Sequence, residues 1–197
     1  MRALTQADLP CRIAAVISNR PDAPGLQLAK ELGIATRIVD HTTFTSREDF
    51  DDALAKTIES FTPDYILLAG FMRVLGDKFI NEFNKLLINI HPSLLPAFSG
   101  LHTHRRALVQ GVKIHGCTVH FVTADLDSGP IIAQAAVPVL NDDDETTLAA
   151  RVREAEHRLY PLALKCLLEN RVVVQHGRCV IAHTGTQTPL LISPGEA

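Results

Sequence analysis

Two polar residues at the end of an apolar run are the first residues in this sequence that could do chemistry. Asn89 and His91 lie two positions apart in the run that begins at Leu86, and Pro92 follows at once. Because side chains alternate across a strand, residues two apart point to the same face. Pro92 and Pro96 oppose regular strand pairing and favour a loop over that face. The spacing therefore predicts a reaction centre at the carboxyl end of a strand.

A carboxylate further along the chain would make this pair suitable for acyl chemistry. Asp127 begins the turn Asp127-Ser128-Gly129-Pro130 between two apolar segments, from which it could reach a neighbouring strand end. There it would orient the His91 ring and favour the protonated form. Asn89 and a cationic His91 are both donors, and converging donors stabilise a tetrahedral oxyanion. The trio suits acyl or formyl transfer, while spacing alone equally suits a capped strand end with a structural histidine.

Two other kinds of chemistry find less support in the sequence. There is no G-x-S-x-G nucleophile elbow, so direct attack by a bound amine is preferred over covalent catalysis. There is also neither an H-E-x-x-H motif nor a cysteine partner at zinc spacing, and we therefore expect no metal. The histidines that invite comparison with a metal site are His91, His102, His104, His115 and His120.

Composition narrows the class of protein. With 197 residues, of which 46% are hydrophobic, the chain can form one well-cored domain. The net charge of −3, without a long block of like charges, favours small-molecule substrates over nucleic acid or a membrane. The four cysteines lack C-x-x-C spacing, which is typical of reduced thiols, and no signal peptide or membrane span is apparent. We expect a cytoplasmic protein that is a monomer or a homodimer.

Strand-like and helix-like segments alternate, which predicts an α/β fold. The continuously apolar segment Tyr65 to Phe71 is typical of a strand covered on both faces in a parallel sheet. Later segments, Thr118 to Val122 and Ile131 to Val139, have hairpin-like spacing. We therefore predict a doubly wound, mainly parallel Rossmann-like sheet with a mixed or antiparallel carboxyl-terminal portion. The longest predicted helix runs from Asp144 to Glu169 with a kink at Pro161, and a last strand pair is expected within Arg171 to Ile181.

Four segments, taken together, resemble one known family. The chain is similar in order and spacing, over residues 1 to about 181, to phosphoribosylglycinamide formyltransferases of de novo purine synthesis, which use 10-formyltetrahydrofolate. The formyltransferase fold is thereby implied. The segments are AGFMRVL (Ala69 to Leu75), INIHPSLLPAFSGLHTH (Ile88 to His104), GCTVHFVTADLDSGPIIAQ (Gly116 to Gln134) and EHRLYP (Glu156 to Pro161).

The resemblance implies a role for each residue of the trio. Asn89, His91 and Asp127 match the catalytic positions of the family. His91 would act as general acid and oxyanion partner, Asn89 as oxyanion donor, and Asp127 would keep His91 protonated. The amine of the bound ribonucleotide would attack the formyl carbon directly, with water carrying the proton.

The resemblance also implies two binding sets. From the residues alone, Arg47 is most simply a solvated helix residue and Glu156 a surface acid that borders a buried stripe. In the family, the matching positions hold the folate and the glycinamide ribonucleotide. The folate set is Arg47, Met72, Arg73, Val74, Leu75, Asn89, Thr123, Ala124, Asp125, Leu126 and Asp127, and the ribonucleotide set is Arg153, Glu154, Ala155 and Glu156.

Three alternatives stand beside this interpretation. Formyltetrahydrofolate hydrolases share the core but carry an extra amino-terminal regulatory domain and lack the GLHTH and EHRLYP pattern. Methionyl-tRNA formyltransferases carry an additional RNA-binding domain, whereas this chain has a short, non-basic tail. A non-catalytic, folate-binding remnant is the other alternative, because the chain departs from the family at its start.

That departure concerns the first strand of the family. Members begin with an apolar strand and a G-x-G-S-N loop whose backbone amides hold the ribonucleotide phosphate. Here Met1 to Leu4 match the interior of the helix that follows that loop. In doubly wound sheets the missing strand lies near the centre. We therefore expect a longer natural product, with residues 1–181 forming a single, amino-terminally truncated formyltransferase domain and 182–197 a flexible tail.

Overall fold

Eight strands and six helices form the described part of the chain. The computed structural model describes residues 1–182, so the tail expected at 182–197 falls, apart from its first residue, outside it. The strands are β1 (Ala15–Ser18), β2 (Ala35–Ile38), β3 (Ile66–Leu68), β4 (Leu87–His91), β5 (Ile114–Phe121), β6 (Ile131–Pro138), β7 (Val172–Gln175) and β8 (Arg178–Ile181). The helices are α1 (Arg2–Gln6), α2 (Pro24–Glu31), α3 (Arg47–Glu59), α4 (Asp77–Glu82), α5 (Thr103–Gln110) and α6 (Glu145–Leu168), with a 3₁₀ turn at His41–Thr43.

Hydrogen bonding groups the strands into three sheets. β1 and β2 form a parallel pair, and β3 to β6 form a sheet in strand order. Within that sheet β3 and β4 run parallel, whereas β5 is antiparallel to both β4 and β6. β7 and β8 form the predicted terminal hairpin. The predicted α/β class, with parallel strands followed by antiparallel ones, is confirmed.

Strand β3 is shorter than the apolar run that predicted it. The run extends from Tyr65 to Phe71, but the strand covers only Ile66–Leu68. Gly70 adopts a φ of 68°, in the left-handed region that glycine enters readily. This conformation ends the extended backbone, so the residues from Met72 onward leave the sheet beside the end of β4.

The two faces of the main sheet pack against different helices. Ile88 and Val119, both fully buried, belong to a core cluster with Val152 and Leu159 of α6. On the other face, Leu87 joins a second cluster formed mainly by α3 and α4. The sheet is therefore covered on both sides up to the end of β4, where Asn89 and His91 lie.

Helix α6 begins at a defined cap and runs through its proline. The Asp144 side chain accepts from the Thr147 amide, and the Thr147 hydroxyl accepts from the Asp144 amide, which forms a capping box. Arg151 binds Asp143 at 2.6 Å and 2.9 Å through two guanidinium nitrogens. Pro161 lies within the helix, which continues to Leu168. The position of the predicted long helix is confirmed to within one residue at each end.

Tyr160 ties α6 to the strand that carries the candidate site. Its hydroxyl lies 3.0 Å from the carbonyl oxygen of Leu68 and 3.0 Å from that of Ile88. Burial raises the pKa of the Tyr160 hydroxyl, so it stays a donor. We expect Tyr160→Phe to lower the free energy of unfolding by about 1 to 3 kcal/mol, because buried acceptors lose their donor. Urea unfolding measures this loss, and Tyr65→Phe, at the other tyrosine, is the matched control; equal effects of both would contradict the assignment.

Candidate active site

Strand register places four polar residues on one face of the main sheet. In the antiparallel pairing of β4 with β5, Asn89 lies opposite His120 and His91 lies opposite Thr118. Opposite residues of an antiparallel pair share a face, as do residues two apart in one strand. The predicted common face of Asn89 and His91 therefore exists, and β5 adds two further polar side chains to it.

His91 lies between two acceptor oxygens. Its Nδ1 is 3.4 Å from Asp127 Oδ2, and its Nε2 is 3.0 Å from the Phe98 carbonyl oxygen. Both the His91 and Asp127 side chains are only 8% exposed. A doubly protonated ring can donate to both oxygens, whereas a neutral ring can satisfy only one. The site is thus built to hold a buried histidine–carboxylate pair.

Two backbone features bring Asp127 to this position. The residue has a φ of 51°, and its Oδ2 accepts from the Gly100 amide at 2.8 Å. The turn that follows packs directly on β5, since a Cβ at Gly129 would lie 1.8 Å from the Phe121 carbonyl oxygen. Only glycine allows that approach. The three predicted catalytic residues, Asn89, His91 and Asp127, are therefore brought together by the β4–β5 register and by this turn.

A buried hydroxyl fixes the loop that begins at Pro92. Thr118 Oγ1 donates to the Ser93 carbonyl at 2.7 Å and accepts from the Leu95 amide at 3.0 Å. It also accepts from Gln134 Nε2 at 2.9 Å. One donor and two acceptors use the full capacity of a hydroxyl. The loop that supplies the Phe98 carbonyl to His91 is therefore anchored to β5 and β6.

The predicted folate segment after β3 is divided between exposed and core side chains. Met72 is 76% exposed and Val74 is 61% exposed, but Leu75 is buried in the second core cluster. The Arg73 guanidinium lies 5.1 Å from the centre of the Phe50 ring. Met72 and Val74 are thus the side chains of this segment that remain available to an apolar ligand, whereas Leu75 leaves only its backbone.

Arg47 lies beside the same segment. It is the first residue of α3, after the cap Ser46, and its side chain is half exposed. A Cβ on Gly76 would lie 3.8 Å from the Arg47 guanidinium. Asp51 Oδ2 accepts from the Gly76 amide at 2.8 Å, which fastens the end of the segment to α3. The structure therefore brings Arg47 to the predicted folate segment.

The third part of the predicted folate set follows β5. The Thr123 hydroxyl donates to the Asp125 carbonyl at 3.2 Å, while Ala124, Asp125 and Leu126 are exposed. Only Asp127, at the end of this stretch, is directed inward. Leu126 thus presents a third exposed apolar side chain in the loop that leads to the candidate centre.

The predicted ribonucleotide set on α6 is split between two sides of the helix. Burial lowers the pKa of His104, and the positive charge of Arg153 contributes in the same direction. Burial raises the pKa of the Cys117 thiol, and the negative charge of Glu156 contributes in the same direction. Burial raises the pKa of Glu156. Glu154 and Ala155 instead line a groove between α6 and β6. Arg153 therefore lies near His104 and Glu156 near Cys117 of β5, whereas Glu154 lines the groove.

His115 is a fully buried histidine on the opposite face of β5. Neither ring nitrogen makes a hydrogen bond within the described residues. The ring packs edge-on against Phe98 and His104, at 5.6 Å and 5.3 Å between centroids. Burial lowers the pKa of His115 from 6.5 to about 4, and the neighbouring His104 acts in the same direction. The folded protein therefore holds this ring neutral.

The buried neutral ring predicts an acid sensitivity of stability. Below pH 6.5 the unfolded chain binds a proton on His115, whereas the folded chain binds it only below about pH 4. The full contribution to the free energy of unfolding is therefore present above the pKa of His115 in the unfolded chain. It is lost as the pH falls, by about 3 kcal/mol between pH 7 and pH 4. We expect His115→Leu to lose correspondingly less over this interval in urea unfolding. Identical losses for both proteins would contradict the assignment.

Sequence reasoning missed three contributors to the site. The sequence pattern suggests for His120 only a place among possible metal ligands, and it suggests no role for the Phe98 carbonyl or the Gly100 amide. His120 lies two residues after Thr118 and so shares its face of β5. Its place opposite Asn89, however, depends on strand register. Backbone groups of an irregular loop carry no signal in side-chain pattern. Only the alternation of Thr118 and His120 could have suggested that a polar face continues into β5.

Within residues 1–182, two kinds of feature are absent. No group of three or more His, Cys, Asp or Glu side chains is arranged to hold a metal ion. Likewise, none of the helices described has the length and apolarity needed to cross a membrane.

Known proteins resemble this chain in sequence and in fold. The family model described as formyl transferase matches residues 1–164. A phosphoribosylglycinamide formyltransferase from Escherichia coli (strain K12) is 48% identical over 160 residues, which are 81% of this chain and 76% of that protein. A crystal structure of glycinamide ribonucleotide transformylase 1 from Symbiobacterium toebii has a TM-score of 0.86 and 46% identity, covering 89% of this chain and 82% of that one. A formyltetrahydrofolate deformylase from Pseudomonas syringae pv. tomato str. DC3000 has a TM-score of 0.81 and 32% identity, covering 88% of this chain and 57% of that one.

Proposed function

The chain belongs to the formyl transferase family, and we propose that it transfers the formyl group of 10-formyltetrahydrofolate to the amine of glycinamide ribonucleotide. The names of its relatives from Escherichia coli and Symbiobacterium toebii support glycinamide ribonucleotide as the acceptor, and the name of the Pseudomonas syringae deformylase supports a formyltetrahydrofolate as the donor. The observation that carries the chemistry is the buried His91–Asp127 pair at 3.4 Å on the face that also presents the Asn89 amide. Such an arrangement suits a reaction in which negative charge develops on a carbonyl oxygen.

The reaction proceeds by direct attack of the amine. The amine nitrogen forms a bond to the formyl carbon, and the carbonyl electron pair moves to oxygen. Asn89 Nδ2 and His91 Nε2 donate to this oxyanion, and Asp127 balances the charge of the His91 ring. Collapse of the intermediate breaks the bond to the folate nitrogen, which takes up a proton while the attacking amine loses one. No covalent enzyme intermediate is needed.

The oxyanion would replace a protein acceptor. In the structure His91 Nε2 lies 3.0 Å from the Phe98 carbonyl oxygen. A substrate oxygen takes over this hydrogen bond by displacing the Phe98 carbonyl, while the ring keeps its position. The Asp127 contact to Nδ1 keeps the other ring nitrogen, Nε2, directed at that position. Such preorganised donors stabilise developing charge without reorganisation during the reaction.

The exposed apolar residues near the centre fit a reduced folate. Met72, Val74 and Leu126 leave most of their surface exposed, on the two segments that leave the sheet after β3 and β5. Burial of such side chains under a flat heteroaromatic ring removes apolar surface from water. Arg47, beside Gly76, offers a cation near the same segment for an acidic part of the ligand. The folate brings the formyl group that the reaction transfers.

The ribonucleotide would approach from the side of α6. Arg153 offers a positive charge for an anionic substrate, and Glu156 offers acceptors for an amine or for ribose hydroxyls. Burial already raises the pKa of Glu156, so an approaching amine would stabilise its charged form. Glu154 and Ala155, which complete the predicted ribonucleotide set, line the groove between α6 and β6.

Two further possibilities follow from the same family. A hydrolase would use water in place of the amine, in keeping with the Pseudomonas syringae deformylase, which is less similar to this chain than the two transferases above. A folate-binding protein without catalytic activity would use only the exposed apolar residues, to bind the folate. The identities and coverage of the transferases favour formyl transfer.

One assay separates these three possibilities. Formation of tetrahydrofolate from 10-formyltetrahydrofolate is followed with and without glycinamide ribonucleotide. Transfer predicts turnover that requires the ribonucleotide and saturates with it. Turnover that is independent of the ribonucleotide would indicate a hydrolase, and folate binding without turnover would indicate a binding protein. Either of these outcomes contradicts the proposal.

A further inference from the structure

We propose that His120 is a positioning residue for the reaction, which holds the Asn89 amide with one N–H directed at the substrate. The inference rests on the proposed function, since it assigns His120 a task within that site. His120 does not need to touch the substrate. Its contribution is to decide how the Asn89 side chain is rotated and which of its atoms faces the formyl oxygen.

The contacts of His120 are those of a fixed acceptor. Its ring is buried, with 2% of the residue exposed. Nδ1 lies 2.9 Å from the carbonyl oxygen of the next residue, Phe121, so this nitrogen carries the hydrogen and donates. Nε2 lies 3.4 Å from Asn89 Nδ2 across the β4–β5 pair. A neutral ring that donates from Nδ1 has a lone pair at Nε2, and this lone pair can accept from the amide.

Burial supports the neutral form of the ring. Desolvation lowers the pKa of His120, although the Phe121 carbonyl and the Asp127 charge act in the opposite direction. Asp127 Oδ1 is 3.9 Å from Nε2, too far for a hydrogen bond. A proton on Nε2 would also face the N–H of the Asn89 amide. The geometry and the burial therefore agree on one tautomer.

This tautomer fixes the orientation of the Asn89 side chain. If the amide were flipped, its oxygen would face the Nε2 lone pair, and two acceptors would oppose each other. With Nδ2 towards His120, one of its hydrogens is taken by the ring. The second hydrogen on the same nitrogen is left for a ligand on the face shared with His91. His120 thus selects the donor end of Asn89 for the oxyanion.

A double-mutant cycle tests whether His120 acts through Asn89. We expect His120→Leu to lower kcat about tenfold in the otherwise unchanged protein, equivalent to about 1.4 kcal/mol of activation free energy. In an Asn89→Ala background the same change should lower kcat no further, because the group that it positions is gone. An equal loss in both backgrounds would overturn the proposal. A change in kcat should come without a comparable change in KM for the folate.

Two polar variants keep the test decisive if the leucine variant does not fold. His120→Gln can place an acceptor near the position of Nε2, whereas His120→Asn is too short to reach Asn89. We expect the glutamine variant to retain kcat to within about threefold and the asparagine variant to show the tenfold loss. Equal activities of these two variants would overturn the proposal.

His115→Leu is the matched control, and the Asn89→Ala variant separates failure of the His120 role from failure of the mechanism. His115→Leu removes another buried histidine from the same strand, on the opposite face, and should leave kcat unchanged. If Asn89→Ala alone has no effect, the oxyanion role of Asn89 fails, and with it the proposed mechanism. If Asn89→Ala lowers kcat but the cycle is additive, only the role of His120 fails.

Discussion

Asn89→Ala is expected to lower kcat for formyl transfer by about 10² to 10³, the usual effect of removing one oxyanion donor. The amide lies on the same face as His91, at the end of β4, and its orientation is restricted by the buried His120 ring. Alanine preserves the backbone of the strand but removes the donor. Because the donor acts on charge that develops in the transition state, kcat should fall far more than KM changes.

Steady-state kinetics with both substrates measures this effect. Asn84→Ala, an exposed asparagine shortly before β4, is the matched control and should retain full activity. Circular dichroism and urea unfolding establish that both variants are folded. A kcat for Asn89→Ala within a factor of two or three of the wild-type value would remove Asn89 from the mechanism.

Asp127→Asn is expected to lower kcat by about 10² to 10⁴, in the range attributed to general acid–base partners. The Asp127 carboxylate is the negative charge that faces His91 Nδ1, and both side chains are nearly inaccessible to solvent. Asparagine keeps an oxygen that can accept from the Gly100 amide and tolerates the φ of 51° at this position. The substitution therefore removes the charge while the turn is retained.

The controls for Asp127 separate charge from folding. Asp64→Asn changes an exposed aspartate and should leave kcat unaltered. Asp127→Ala removes the acceptor for Gly100 as well as the charge, so it should also lower the free energy of unfolding. Wild-type turnover in Asp127→Asn would exclude an electrostatic role for this carboxylate, whatever the stability of the variants.

Local periodicity was sufficient for several parts of the structure. Alternation along one strand predicts that Asn89 and His91 share a face, and they do. The cap at Asp144 and the apolar stripe that follows predict α6 closely, because both signals are local to the helix. The hairpin β7–β8 likewise follows from two short apolar runs around a turn.

Other parts depend on information that no local pattern carries. Asn89 and His120 are 31 residues apart in sequence, and their pairing is set by the register of β4 and β5. The burial of Leu75 follows from the packing of α3 and α4 on the segment after β3. The separation of Glu154 from Glu156 could have been inferred, since residues two apart in a helix point in nearly opposite directions. A cytoplasmic location, the oligomeric state and a single domain over 1–181 stay predictions.

A labelled single turnover tests whether the formyl carbon passes directly from the folate to the amine. The protein is mixed with 10-formyltetrahydrofolate carrying ¹³C in the formyl group and with glycinamide ribonucleotide, and the label is followed by NMR. We expect the ¹³C signal to move to the formamide carbon of the product, at a rate lowered in parallel by Asn89→Ala and Asp127→Asn. Label that appears in free formate, or that stays on the folate, would contradict it.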